Sequence, residues 1–353
     1  MKPFWLNLVT SSATLILLVA LALPARSVVL AAREEHTVEV AAESPWPRPA
    51  RDPRRVFGVY VDPWQVDDWA RSVGEAPQLV AKFEAFSSGR AIDPWLAQSA
   101  RIGVRRLLVS WEPWRPVPAS WGTALQARPQ PGLTNIEIAR GSQDRYMLRF
   151  ARSLASFRGV VYLRFAHEMN GYWYPWSRGP RAYVYAWRRM VRVFEAAGAS
   201  NVRFVWSVNP NLYEDVRTWR GGLRAYWPGR RYVDAVGSTM IDFGGVKSYP
   251  VARFVPRLRW LRAAFGKPVI LTEVNTAYAG RVQWLHSLRA MLAELPWISV
   301  VTWSQLPSRG KVHQAGTGVL DWDVRSDPSS GSLLASIIRD GQRRTRGGCG
   351  AAC

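Results

Sequence analysis

Val160-Val161-Tyr162-Leu163-Arg164-Phe165-Ala166-His167-Glu168-Met169-Asn170-Gly171-Tyr172-Trp173-Tyr174-Pro175-Trp176 decides how this chain is read. Its first four residues form a short apolar, β-rich run of the kind that makes a buried strand. Where the run ends, a guanidinium, an imidazole, a carboxylate and an amide crowd together with aromatic rings. In a parallel α/β fold, functional groups gather at the C-terminal ends of strands, where this cluster falls. The residue types suit sugar chemistry. Glu168 can lend or take a proton, while Trp173 and Trp176 supply flat apolar faces for pyranose rings.

The same pattern recurs on both sides. Apolar, β-rich runs at 56–61, 82–86, 105–110, 202–207, 233–240, 269–272 and 298–303 predict seven further strands. Helical periodicity lies between several of them, at 143–157, with Tyr146, Phe150 and Leu154 four residues apart, and at 181–197, 251–265 and 281–294. Strands alternating with helices predict a (β/α)8 TIM barrel over residues 56–340. A chain of 353 residues at 48% hydrophobic can bury one such core and leaves no room for a second large domain.

The predicted strand ends carry Asp62, Trp111, Glu112, Glu168, Asn209, Asp242, Glu273 and Trp303, a rim of carboxylates and indoles. Glycoside hydrolysis needs two carboxyl groups: one protonates the leaving oxygen, and the other attacks the anomeric carbon or activates water. Glu168 and Glu273, ending the fourth and seventh strands, are the natural pair, and Glu112 is their competitor.

The N-terminus has Lys2, an apolar stretch from Ala13 to Ala25 and small residues at Ala31 and Ala32. This is the layout of a secretory signal over 1–31, either cleaved after Ala31 or retained as an anchor, and it predicts a secreted or periplasmic protein. Residues 32–55 read as a Pro- and Arg-rich linker, and 341–353 as a basic tail. The two cysteines of the chain, Cys349 and Cys353, lie in that tail, so no disulfide framework supports the barrel. They can close a small loop or remain free thiols.

There are 47 basic and 26 acidic residues, a net charge of +21. Such an excess favours polyanions, which would include an anionic polysaccharide or peripheral contact with an anionic envelope surface. Arginines scattered over solvated helix faces would give the same total. No nucleic-acid reader such as a helix-turn-helix or zinc finger is visible, so nucleic acid is not expected as a partner. Without a metal cluster, phosphate loop or dinucleotide fingerprint, the sequence implies no metal and no cofactor. A monomer acting on a polysaccharide is expected.

The opening stretch closely resembles the acid/base segment of glycoside hydrolase family 26, best known for endo-β-mannanases. His167, Glu168, Asn170, Gly171, Trp173 and Trp176 fall at matching places, and the likeness runs from about Phe57 to about Leu334. It implies a His-Glu pair ending the fourth strand of a (β/α)8 barrel, with Glu168 as acid/base. Glu273, in Val269-Ile270-Leu271-Thr272-Glu273-Val274-Asn275, takes the nucleophile's place in a retaining mechanism. Arg164 holds the position of a basic residue that steadies the two carboxylates, and Trp303 that of a sugar platform. Asn209 and Trp206 match the fifth-strand pattern. Substrate contacts are expected from His167, Arg164, Asn170, Trp173, Trp176, Trp111, Asn209, Asp242 and Trp303, with His167 hydrogen-bonded to Glu168 or to the sugar.

One departure stands out. The family ends its sixth strand with a tyrosine that hydrogen-bonds the nucleophile, whereas this chain reads Ser238-Thr239-Met240-Ile241-Asp242-Phe243, and Phe243 lacks the hydroxyl. The expectation is an exported retaining β-glycosidase cutting internal bonds of a β-linked polysaccharide. Mannan-type chains come first, ahead of xylan and mixed-linkage glucan. The alternative is a glycan-binding or exopolysaccharide-processing protein with little or no turnover, handling an anionic polymer.

Overall fold

A computed structural model describes residues 54–87, 91–116, 127–210, 222–243, 249–277, 280–305 and 321–343. All of them fall in one unit, Ser44–Cys353. The signal segment 1–31, nearly all of the linker, both cysteines and the middle of the loop after the third strand lie outside the described residues. Among the described residues, no helix is long and apolar enough to cross a membrane.

The strands are β1 (Val56–Tyr60), β2 (Leu79–Ala85), β3 (Arg106–Glu112), β4 (Val160–Phe165), β5 (Val202–Val208), β6 (Ala235–Asp242), β7 (Val269–Thr276) and β8 (Val300–Trp303). Each pairs in parallel with its neighbours in the chain, and β8 closes onto β1 with Val56 opposite Val300 and Val59 opposite Trp303. Helices α1 (Val66–Val73), α2 (Asp93–Arg101), α3 (Asn135–Ala139), α4 (Asp144–Ala155), α5 (Pro180–Ala196), α6 (Val255–Phe265), α7 (Arg281–Glu294) and α8 (Pro328–Arg343) accompany them. This is the (β/α)8 barrel the sequence predicts.

Alternation along each strand separates two cores. Val56, Leu79, Ala81, Leu108, Val205, Ala235, Ile270 and Val300 fill the barrel interior, with Tyr60 at their upper edge. Residues one step along, such as Val59, Val80, Leu107, Val109, Val161 and Leu163, join the larger core shared with the helices.

Strand boundaries shift in an instructive way. The apolar runs mark only the half of each strand buried in the barrel, so β3, β5, β6 and β7 continue one to four residues into polar sequence at the mouth, to Glu112, Val208, Asp242 and Thr276. The second strand starts at Leu79 rather than at residue 82 because Leu79 and Ala81 point into the barrel. Helix α3 lies between the third strand and the periodic stretch 143–157, where the sequence predicts no element. It opens with a capping box in which Thr134 accepts from the Glu137 backbone N–H. The periodic stretch 251–265 divides into a single 3-10 turn at Val251–Arg253 and α6, which has Pro256 in its first turn, where a missing N–H costs nothing. Arginines cover the outer helix faces: Arg145, Arg149 and Arg152 of α4 and Arg181 and Arg192 of α5 are exposed.

Candidate active site

Beyond Phe165 the chain leaves regular β geometry while still pairing on both sides. The N–H of Ala166 donates to Trp111 O at 3.0 Å on β3, and that of Glu168 to Ser207 O at 2.9 Å on β5. Meeting both partners puts Ala166 and Glu168 in the left-handed region, with φ of 43° and 53°. For residues with a Cβ, such conformations cost about 1–3 kcal/mol each and concentrate at functional sites.

Arg164 is the hub of the site. It is fully buried. Its Nε donates to Ser207 Oγ (2.9 Å), Nη2 to Thr239 Oγ1 (2.8 Å), and Nη1 to Ser110 Oγ (3.2 Å) and to Glu273 Oε2 (2.9 Å). Nη2 also lies 3.9 Å from Glu168 Oε1, so one guanidinium spans both candidate carboxylates. Burial works against the Arg164 charge, but Glu273 beside it prevails and its pKa is raised. Burial pushes the Glu273 carboxyl up, and Arg164 pulls it back toward the ionised form.

A bulge in β7 makes this geometry possible. Leu271 stands opposite Ser238 and Glu273 opposite Thr239, so β7 carries one residue more than β6 here. Thr272 and Glu273 can then both face inward: Thr272 Oγ1 meets Ser207 Oγ at 3.0 Å while Glu273 reaches Arg164. Gly237 leaves the necessary space, since a Cβ there would come within 2.8 Å of both Ser207 and Thr272. Tyr60 adds its hydroxyl below, 2.9 Å from Ser110 Oγ and donating to Thr272 O at 3.1 Å.

On the other side of Arg164, Glu168 Oε2 accepts from Trp173 Nε1 at 3.1 Å. His167 turns away from Glu168. Its Nε2 shares a hydrogen bond with the Tyr174 hydroxyl (3.0 Å) and lies 4.0 Å from Glu112 Oε1. Burial and then Arg164 lower the His167 pKa well below the usual imidazole value, so the ring is neutral. Glu112 accepts from Trp114 Nε1 at 3.2 Å, and burial raises its pKa to about 7. Beside these groups a cavity of about 770 Å³ opens over the ends of β1, β2 and β3, bordered by Tyr60, Phe83 and Glu112.

Residues 148–305 match the model described as Glycosyl hydrolase family 26. The chain carries a family 26 segment. Among curated relatives it is similar to Endoglucanase H of Acetivibrio thermocellus, at 27% identity over 193 residues that cover 51% of this chain and 19% of that protein. It is also similar to Mannan endo-1,4-beta-mannosidase A and B of Caldalkalibacillus mannanilyticus, at 32% identity over 117 residues, 30% of this chain and 21% of that protein. The matched part thus spans about a fifth of each relative. A GH26 β-mannanase from Bacteroides ovatus superposes with a TM-score of 0.58 at 17% identity, covering 82% of this chain and 90% of that one. A Cellulomonas fimi endo-β-1,4-mannanase double mutant gives 0.57 at 16% identity, over 81% and 71%. At these identities the two structures speak for the fold alone.

Within this barrel, the residues singled out from sequence have separate fates. Glu168, Glu273 and Arg164 come together, and Trp173 reaches Glu168. Arg164 is sealed below the mouth and braces carboxylates, so the expected substrate contact is corrected to a positioning one. His167 bonds Tyr174 instead of Glu168 because its ring is turned toward β3. Asn170 braces two loops: its Nδ2 donates to Asn209 O (2.7 Å) and its Oδ1 accepts from Asn209 N (3.0 Å). Asn209 itself remains partly exposed at the end of β5.

Four expected sugar contacts are buried instead. Trp111 points outward from β3, stacks on Phe150 at 4.5 Å and donates to the Tyr146 hydroxyl at 3.3 Å. Trp176 lies under the loop, stacked on Tyr174 at 4.2 Å and donating to His167 O at 2.7 Å. Trp303 is fully buried in the core shared with the helices, because the β8 alternation turns it away from the interior. Asp242, 1% exposed, accepts from the backbone N–H of Tyr249 at 2.9 Å. Phe243 packs edge-on against Trp322 at 5.3 Å and gives Glu273 no hydroxyl.

Sequence reading missed Tyr60, Ser110, Ser207, Thr239 and Thr272, the hydroxyls around the Arg164–Glu273 pair. All five sit on strands an even number of residues from an apolar interior residue, so period-two counting would have found them; Glu273, one residue after Thr272, faces inward as well only because of the bulge. Tyr174 was hidden by its place in a loop, where no periodicity applies.

Proposed function

We propose that the chain is an endo-acting, retaining β-glycosidase with a β-linked polysaccharide as substrate. Mannan-type chains are favoured by the mannosidase among its relatives. The observation that carries this reading is the single buried guanidinium within 2.9 Å of Glu273 and 3.9 Å of Glu168 at the mouth of the barrel. Glu168 protonates the glycosidic oxygen as Glu273 attacks the anomeric carbon. The leaving sugar departs with that proton, and the glycosyl group is held as an ester on Glu273. Glu168, now a carboxylate, takes a proton from water, which attacks the same carbon and releases the sugar with Glu273 restored. Arg164 favours the carboxylate form that Glu273 needs as nucleophile, and Trp173 fixes the Glu168 oxygen through its N–H. The apolar stretch from Ala13 to Ala25 supports action outside the cytoplasm, as a secreted or periplasmic protein.

The test is reducing-sugar release and product-length analysis on mannan, xylan and mixed-linkage glucan, comparing wild type with Glu168→Gln, Glu273→Gln and Glu112→Gln. Activity in wild type that survives Glu112→Gln but is lost in either of the other two is expected. Binding without release in wild type would instead mark a glycan-binding protein.

A further inference from the structure

The barrel carries its charges unevenly along its axis. At the mouth, the strands end at or beside carboxylates: Glu112, Glu168, Asp242 and Glu273. At the opposite pole, where the strands begin, exposed arginines occupy the turns that lead into them, Arg105 before β3, Arg158 before β4, and Arg230 and Arg231 before β6. Parallel pairing of all eight strands puts these turns on one face.

The acids of this pole are largely matched by arginines of the helices. Glu75 is held by Arg339 of α8 at 2.9 Å, Glu294 by Arg259 of α6 at 2.6 Å, and Asp340 by Arg289 of α7 at 2.7 Å. Asp234 accepts from the Phe204 backbone N–H at 2.8 Å, and Glu195 lies half-buried in the last turn of α5. The turn arginines meet a different set of partners. Arg105 and Arg230 donate to backbone carbonyls and Arg231 lies over the Tyr232 ring at 4.7 Å, contacts that leave the positive charge in place.

Two half-buried aromatic rings share the face: Tyr232, with Arg188 as well as Arg231 over it, and Trp297, with Arg262 over it at 4.9 Å. Such rings beside guanidinia suit the headgroup layer of a bilayer, which is apolar on one side and wet on the other. The described chain also enters and leaves here, where the Arg55 N–H donates to Gly341 O at 3.0 Å. In sequence, Arg48 and Arg51 precede that junction, Arg344 and Arg346 follow it, and the apolar stretch from Ala13 to Ala25 lies upstream. Beside the junction a cavity of about 420 Å³, bordered by Arg55, Arg289, Arg343 and the paired Asp340 over Leu292 and Ile337, has room for a headgroup phosphate.

We propose that this pole docks on an anionic lipid bilayer, with the mouth that holds Glu168 and Glu273 turned away from it. A bilayer is favoured over a dissolved polyanion because cations and interfacial rings share one face, and because an apolar stretch precedes that face in the chain.

The test sediments the full chain with vesicles of phosphatidylcholine alone or of equimolar phosphatidylcholine and phosphatidylglycerol. Binding through the apolar stretch is common to both. The basic pole should raise the partition coefficient on anionic vesicles about a hundredfold, a preference that falls as salt screens it. Arg105→Gln, Arg158→Gln and Arg231→Gln together should lower that preference about tenfold or more, since each basic residue at such a surface is worth about fivefold. Arg145→Gln, Arg149→Gln and Arg181→Gln remove the same charge from the flanking helices and should stay within about twofold of wild type. Hydrogen exchange slowed by anionic vesicles in the turns 103–105, 157–159 and 229–233 reads the docking face without substitution, and serves if a triple variant fails to fold. Equal partition onto the two vesicles, equal losses from the two triple variants, or protection confined to other segments overturns the proposal. Retention on immobilised polygalacturonate with no preference for anionic vesicles would assign the pole to a soluble polyanion and also overturn it.

Discussion

Arg164 donates to Glu273 at 2.9 Å while lying fully buried, and the same guanidinium stands 3.9 Å from Glu168. Removing it leaves Glu273 buried without its counter-charge. Arg164→Met should therefore destabilise the protein by about 3–5 kcal/mol, as is usual when one partner of a buried pair is lost. Arg164→Lys keeps the charge but not the fork that reaches Ser207, Ser110 and Thr239, and should fall between Met and wild type. Urea denaturation at neutral pH checks both, and equal stability of all three would remove Arg164 from its central place.

Trp173 is the direct hydrogen-bond donor to Glu168. Trp173→Phe keeps a ring and deletes the N–H, so kcat should fall about tenfold, the low end for a hydrogen bond to a charged group, with KM changed far less. Trp173→Ala should raise KM as well, because the stacking face is lost with the donor. Steady-state kinetics on the best polysaccharide separates the two contributions.

Trp111 should behave as a core residue. Stacked on Phe150 and fully buried, it should cost about 3–5 kcal/mol on Trp111→Ala, with KM of the folded fraction unchanged. A raised KM without loss of stability would restore it to the cleft.

Glu112 gives a pH signature. Its carboxyl is raised from 4.5 to about 7 by burial, so the native protein keeps a proton that the unfolded chain has lost. The resulting contribution is fully present below pH 4.5 and disappears as pH rises through about 7. His167 runs the other way: its pKa is depressed, so its contribution is present above 6.5 and lost as pH falls. Comparing wild type with Glu112→Gln isolates the carboxyl. The stability difference, wild type minus variant, should shrink between pH 4.5 and 7, by no more than about 3 kcal/mol at 1.4 kcal/mol per pKa unit. A flat difference across that window in denaturant midpoints would contradict the protonated state of Glu112.

The barrel was legible because the buried half of most strands is a short apolar run, and Glu168, Glu273 and Arg164 were legible as polar residues placed where those runs end. Facing was harder to read. Trp111 and Trp303 sit at the right strand ends, yet alternation directs them outward into the helix layer, and an indole serves a core as well as a cleft. Asp242 has the right end and the right chemistry, but its oxygen is spent on the Tyr249 backbone. The β7 bulge left no mark in composition, although it is what allows Thr272 and Glu273 to point the same way.

The most direct measurement is the mass-spectrometric location of a covalent adduct. Wild-type protein is incubated with a 2-deoxy-2-fluoro glycosyl fluoride of the sugar it releases, then digested and mapped. Retaining catalysis by the pair held on Arg164 predicts a single glycosylated peptide labelled at Glu273, absent in Glu273→Gln. Labelling at Glu112 or Glu168, or full activity with no adduct and an inverted product, would contradict it.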